Sequence, residues 1–177
     1  MALAGIYPVI GKDARYEEIN SLALFNVGRT SIDNQGGLWK YVKASGAITK
    51  HNIGFITSAA IPLVVAASTT NIVDVPYLTG TPHPLCIPQI SIPDTYFGWV
   101  WCGGPGCGGI GYGIKGRIAA GCLAENPLYL TSTAGRIDDA VVAVSMIAGL
   151  KTTVDTTPIE NIEVFSCTYL TVNCQDS

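Results

Sequence analysis

Residues 112–154 read YGIKGRIAAGCLAENPLYLTSTAGRIDDAVVAVSMIAGLKTTV. Short apolar and β-branched runs recur there at close intervals, and most are bounded by Gly, Asn-Pro or Ala-Gly. That rhythm predicts short strands joined by tight turns. The fold class it implies is mainly β, a small antiparallel β-barrel or sandwich. The stretch holds no histidine, and its one cysteine, Cys122, follows the turn residue Gly121. A segment built of backbone and packing, with little reactive chemistry, points to a structural or binding role.

The whole chain extends this reading. Its 177 residues fit one β-rich domain over residues 36–177, preceded by an extended N-terminal arm over residues 1–35. A chain of this mass buries roughly 70% of the surface that its unfolded form exposes, so a proper core needs no staples. Charged residues make up 13% of the chain and hydrophobic ones 48%, with a mean hydropathy of +0.35. The charged share is about half that of ordinary soluble domains. Part of the surface is therefore expected to be covered by other subunits. The net charge of −3 and the scattered basic residues exclude a phosphate-tracking stripe, so no nucleic acid is expected as partner. The longest apolar run, residues 59–68, is too short to span a bilayer and contains Pro62, so no membrane is expected either. The first residues show no basic segment followed by a long apolar one, and no secretory signal is expected.

Along the arm, residues 14–25 show helical spacing at Tyr16, Ile19, Leu22 and Ala23, which predicts one short helix. Residues 33–37 (DNQGG) read as a turn. Residues 38–44 and 47–57 read as two strands, joined by Ser45-Gly46 as a hairpin. Six prolines, at 62, 76, 82, 84, 88 and 93, predict a loop-rich segment over 62–93 with short edge strands only. Further strands are expected at 96–102, 114–119, 127–131, 136–147 and 161–172.

Chemistry is sparse. Residues 106–111 match G-x-G-x-x-G, but turn and strand residues follow where a dinucleotide site needs a helix, so no cofactor is expected. His51 reads as a strand residue and His83 as a loop residue. Asp74 and Asp94 are the nearest carboxylates to orient His83, yet no spacing requires it. Asp138-Asp139, as strand neighbours, should point to opposite faces, and a turn after Gly135 accounts for them. The six cysteines (86, 102, 107, 122, 167 and 174) fit no standard zinc spacing; free thiols are favoured over disulfides, and disulfides over metal. No catalytic, cofactor or metal residues are assigned. The candidate interface residues are Trp39, Trp99, Trp101, Tyr16 and Phe25. Trp99 and Trp101 share a strand face and suit either sugar stacking or packing.

Three blocks, GGLWKYVKASGAI (36–48), IKGRIAAG (114–121) and TAGRIDDA (133–140), together resemble the small head-decoration, or cement, proteins of tailed bacteriophages. The first resembles an opening hairpin, the others a β-module of Ala/Gly-rich strands with a Gly-Arg-Ile-Asp-Asp turn. The Pro-rich segment and the CGGPGCGG loop (102–109) depart from that pattern. The resemblance implies a non-enzymatic virion protein on the capsid exterior, synthesised in the host cytoplasm. It would bind major capsid protein and copies of itself, as a homotrimer, and its arm would lie along the shell. The alternative is a carbohydrate- or receptor-binding β-module of a tail or fibre, using the Trp99/Trp101 face.

Overall fold

As a computed structural model, the structure describes residues 18–33, 36–56, 63–66, 83–104, 114–141, 146–147, 149–152, 154–156, 160–165 and 171–172. Among these residues there are strands and no helix, so the fold is mainly β, as the turn-bounded runs predict. The larger sheet has eight strands. Its order is β1 (Ile19–Asn20), β7 (Phe97–Trp101), β3 (Leu38–Ala44), β5 (Leu63–Ala66), β4 (Gly54–Ile56), β6 (His83–Cys86) and β13 (Thr171–Val172), with β2 (Thr30–Ile32) also paired to β3. The smaller sheet orders β11 (Lys151–Thr152), β12 (Glu160–Phe165), β8 (Lys115–Ile118), β10 (Ile137–Asp138) and β9 (Tyr129–Leu130). One bridge, Ile87 to Trp101, brings the end of β6 back toward β7. A single bridge is not a ladder, and the sheet does not close into a barrel.

The two sheets are layered over one apolar cluster, the sandwich arrangement. Alternation along the strands supplies it. From the larger sheet come Trp39, Tyr41, Phe55, Leu85, Trp99 and Trp101; from the smaller, Ile118, Leu130, Ile137 and Val164. The opposite face of the larger sheet carries a second buried cluster of smaller side chains, including Val42, Ala44, Ile56, Cys86, Val100 and Cys102. Polar links tie the layers together. Ile53 N–H donates to Gly135 O at 3.0 Å and Arg117 N–H to His51 O at 2.8 Å. The Gln89 side chain pairs with both backbone groups of Lys115, at 3.0 and 2.9 Å. Gly135 has φ +79°, and a Cβ there would lie 2.5 Å from the Asn52 side chain, so the crossing point requires glycine.

Several expectations are corrected. The ladders are not all antiparallel: β3 with β5 and β8 with β10 run parallel. Residues 38–44 and 47–57 do not form a hairpin. β5 lies between β3 and β4, and only residues 54–56 of the second run are a strand. Gly46 turns the chain, at φ +86°, but its N–H goes to Asp94 Oδ1 at 2.7 Å. The Pro-rich segment supplies interior strands, since β5 and β6 each have neighbours on both sides. Residues 161–172 contain two strands in different sheets, β12 and β13. The expected helix over 14–25 is absent from its described part, where β1 pairs Ile19 with Gly98; its first residues lie outside the described ones. Three hydrogen-bonding reasons recur in these corrections. A strand pairs with whatever edge the core brings near, proline forfeits only one donor, and a short run of helical spacing does not outweigh a ladder.

Within the expected arm, Ile19–Asn20 and Thr30–Ile32 belong to the larger sheet, while residues 1–17 lie outside the described ones. Antiparallel β2–β3 pairing surrounds the Asp33 turn, where Asp33 N–H donates to Gly37 O at 3.0 Å and Gly37 N–H to Asp33 Oδ1 at 2.8 Å. Truncating a core aromatic should be costly. Trp99→Ala is expected to lower the unfolding free energy in urea by about 3–5 kcal/mol, against under about 0.5 kcal/mol for Leu22→Ala at an exposed site. Equal effects would contradict this placement of the core.

Candidate functional site

The residues expected at an interface divide sharply. Trp39, Trp99 and Trp101 are 2%, 1% and 0% exposed, inside the cluster shared by the two sheets. They are removed from the surface by packing within the chain itself, so neither a sugar platform nor a subunit contact is built on them. Directly opposed pairs explain the burial: Trp39 faces Trp101 and Tyr41 faces Trp99 across β3 and β7. Aromatic residues on adjacent strands bury more area against each other than against water. Trp39 Nε1 donates to Asp33 Oδ2 at 2.8 Å, so its polar edge is satisfied. Phe25 is half-buried against the same cluster, 5.2 Å from the Tyr41 ring and 5.5 Å from Trp99. Tyr16 lies outside the described residues.

Other expected positions fall as follows. His51 is in a turn at φ +67°, not on a strand, with its N–H donated to Pro88 O at 2.7 Å. His83 is on β6, not in a loop. Asp74 and the glycine motif from Gly106 to Gly111 lie outside the described residues, as do Cys107, Cys167 and Cys174. Cys86, Cys102 and Cys122 are free and buried.

The structure brings together one group that the sequence pattern does not reveal. Asp138 ends β10 and the chain bends at once, so strand alternation no longer separates Asp138 from Asp139. Both carboxylates converge on Cys122, and the three donor atoms lie within 4.8 Å of one another. Cys122 Sγ donates to Asp138 Oδ1 at 3.4 Å and accepts the Asp139 N–H at 3.3 Å. Asp139 Oδ2 accepts from Leu123 N–H at 3.0 Å and from Asn126 Nδ2 at 2.9 Å. Thr156 completes the knot: its hydroxyl accepts the Cys122 N–H at 2.8 Å and donates to Ala119 O at 2.6 Å. Asp155 Oδ1 accepts the Ala124 N–H at 2.7 Å. A hydroxyl and two carboxylates here do the work of a missing ladder: Thr156 takes the amide of Cys122, Asp139 that of Leu123 and Asp155 that of Ala124.

Electrostatics fit a latch. Burial, together with the neighbouring carboxylates, pushes the Cys122 thiol up to about 11 despite the opposing Asp139 N–H bond, so it stays protonated at neutral pH. Burial also opposes ionisation of Asp139, but the bonds from Asn126, Leu123 and Cys122 outweigh it and hold the carboxyl below its ordinary range. A protonated thiol and committed oxygens make this a loop fastening. Of this group only the Asp-Asp pair at the end of a strand-like run is legible in the sequence, where nothing links it to Cys122.

Exposed apolar side chains mark a different kind of site. Leu22 and Leu24 are 77% and 59% exposed, in the segment between β1 and β2, and Ile19 and Ile32 on those strands are also exposed. In the segments that connect strands of the smaller sheet, Leu123, Val141 and Val154 are exposed near the bonds of the latch. Among the described residues no helix is long and apolar enough to cross a membrane. Compared with protein-family models, curated proteins and solved structures, the chain matches none.

The latch has a definite pH sign. A carboxyl held low in the folded state contributes stability above the unfolded value of about 3.9 and loses it as pH falls through the folded value. Asp139→Asn should therefore lower stability at pH 7 by about 1 kcal/mol. In denaturant melts across pH, that deficit should shrink below about pH 4. A deficit that stays constant with pH would exclude the ionised latch.

Proposed function

We propose that this chain is a structural virion protein that decorates and stabilises an icosahedral capsid by binding major capsid protein subunits. On this reading it is not an enzyme; it sits on the capsid exterior and associates with copies of itself as a homotrimer. The observation that carries the proposal is the segment between β1 and β2. Two short strands fasten it to the larger sheet, and Leu24 N–H donates to the Tyr41 hydroxyl at 3.2 Å, yet Leu22 and Leu24 face solvent. Ordering a backbone to hold leucines in water costs free energy, which docking onto a partner returns. The exposed Leu123, Val141 and Val154 in the loops of the smaller sheet offer further apolar contacts, and a subunit in a repeating lattice needs more than one contact.

Individually such contacts are modest, and many copies on one shell convert them into tight retention. The resemblance of residues 36–48, 114–121 and 133–140 to phage cement proteins supports the same reading. The tail-fibre alternative loses its aromatic platform, because Trp99 and Trp101 are core residues.

Mass spectrometry of purified particles of the source virus should find the chain in numbers that scale with the major shell protein. The double variant Leu22→Glu/Leu24→Glu should keep the wild-type Tm, because both side chains are exposed. Its co-sedimentation with shells lacking the chain should weaken at least about tenfold, from the lost burial of two leucines. Unchanged binding by that variant would overturn the docking role of this segment. Absence from particles would overturn the virion assignment.

A further inference from the structure

Cys86 and Cys102 belong neither to the latch nor to the exposed leucine segment, and they stand opposite each other. Ile87 and Trp101 exchange both backbone hydrogen bonds, Ile87 N–H to Trp101 O at 2.8 Å and Trp101 N–H to Ile87 O at 3.2 Å. They are thus a hydrogen-bonded antiparallel pair. The residues immediately outside such a pair, here Cys86 and Cys102, form a non-hydrogen-bonded pair, in which Cα atoms are typically about 4.5 Å apart. Disulfides accept Cα separations of roughly 4.4–6.8 Å. Both side chains point into the same cluster of smaller residues, at 0% and 6% exposure.

The thiols in the structure are reduced. Cys86 Sγ donates to Gly54 O at 3.6 Å and Cys102 Sγ to Val100 O at 3.7 Å. Thiols are weak donors, so little is lost when these bonds are exchanged for a covalent one. Each thiol also senses the other's neighbourhood: Cys102 contributes to raising Cys86, and Lys40, on the same sheet face, acts on both.

We propose that Cys86 and Cys102 are a cross-strand disulfide site, which joins the end of β6 to the end of β7 when a small disulfide oxidant such as glutathione disulfide is present. The step balances by exchange. The Cys102 thiolate attacks one sulfur of the oxidant, forming a mixed disulfide and releasing one glutathione thiolate, which takes up the proton lost by Cys102. Cys86, deprotonated in turn, attacks the Cys102 sulfur and releases the second glutathione, which takes up the Cys86 proton. Both cysteines are oxidised and one glutathione disulfide is reduced to two thiols.

The covalent bond falls where the sheet is weakest. β6 and β7 are joined by one bridge and no ladder, so the bond would fasten together two strands that backbone pairing links at a single point. Burial sets the kinetics. It pushes Cys102 up to about 12 and raises Cys86 as well, so exchange is slow in the folded chain and fast before the cluster closes. Once formed, the bond is shielded from reductants by the same burial. On the capsid reading, thiols made in a reducing cytoplasm would meet oxidant only outside it; the chemistry itself does not depend on that reading.

The test refolds the full-length chain with and without reduced and oxidised glutathione, then alkylates remaining thiols in denaturant. Chymotryptic digestion separates Cys86 from Cys102 at the intervening aromatic residues, and mass spectrometry maps the links. The expected result is a Cys86–Cys102 linked peptide, formed faster during refolding than in the folded chain. The oxidised protein should melt roughly 5–10 °C higher than the reduced one. Cys86→Ala should abolish that difference; if this variant fails to fold, the peptide map of the wild-type chain decides alone. Alkylation of both cysteines after oxidative refolding, or linkage of Cys102 to Cys107 instead, would overturn the proposal.

Discussion

The pairing of β3 with β7 is the constraint from which the rest of the structure follows. Over five residues it sets Trp39 against Trp101, Tyr41 against Trp99 and Lys43 against Phe97. Tyr41 lies 5.2 Å from Trp99 and stacks at 6.2 Å on Phe97. Aromatic pairs of this kind add about 0.5–1.5 kcal/mol each beyond the area they bury. A one-residue slip would turn every tryptophan to the other face, where Val42, Ala44, Val100 and Cys102 leave no room for an indole. The register is thereby fixed by size as well as by hydrophobicity. With it fixed, the large-residue face must be covered, and the smaller sheet covers it with Ile118, Leu130, Ile137 and Val164.

The smaller sheet is less well supported by its own ladders. β9, β10 and β11 are two residues each, too few to hold a loop by pairing alone. Side chains compensate. Asp139, Asp155 and Thr156 accept amide protons that no neighbouring strand reaches, and Cys122 fills the space between them. Gln89 performs the same substitution across the layers, presenting to Lys115 the donor and acceptor of a strand residue. The chain thus builds a β architecture with short strands and many side-chain-to-backbone bonds, as its low charge and many turns require.

Legibility in the sequence follows the length scale of the interaction. The alternation in residues 38–44 is enough to put Trp39 and Tyr41 on one face and Val42 on the other, because a strand's period is a local property. The Asp33–Gly37 turn is equally local. Partnership is not. Nothing in the residues says that β5 enters between β3 and β4 in parallel, or that residues 161–172 divide between two sheets, since pairing is decided by distant chain. The tryptophans illustrate the same gap: their shared face is readable, but which side of that face meets water is not. The latch is hidden for a related reason. Sixteen residues separate Cys122 from Asp138, and the bend that undoes strand alternation after β10 carries no turn residue stronger than Asp139 itself.

The distribution of apolar residues bears on why the proposed role would rest on many weak contacts. All the tryptophans are spent on the interior, whereas interfaces that bind tightly as single copies usually bury aromatic anchors at their centre. Among the described residues, the large apolar side chains most open to solvent are mainly aliphatic and of medium size, such as Leu22, Leu24, Ile32, Leu123, Val141 and Val154. Contacts of that kind discriminate poorly and release readily when made one at a time. Repeated on a lattice they become strong together, because each bound neighbour raises the effective concentration of the next contact. A surface of scattered aliphatics on a rigid aromatic core therefore suits a partner that is itself periodic.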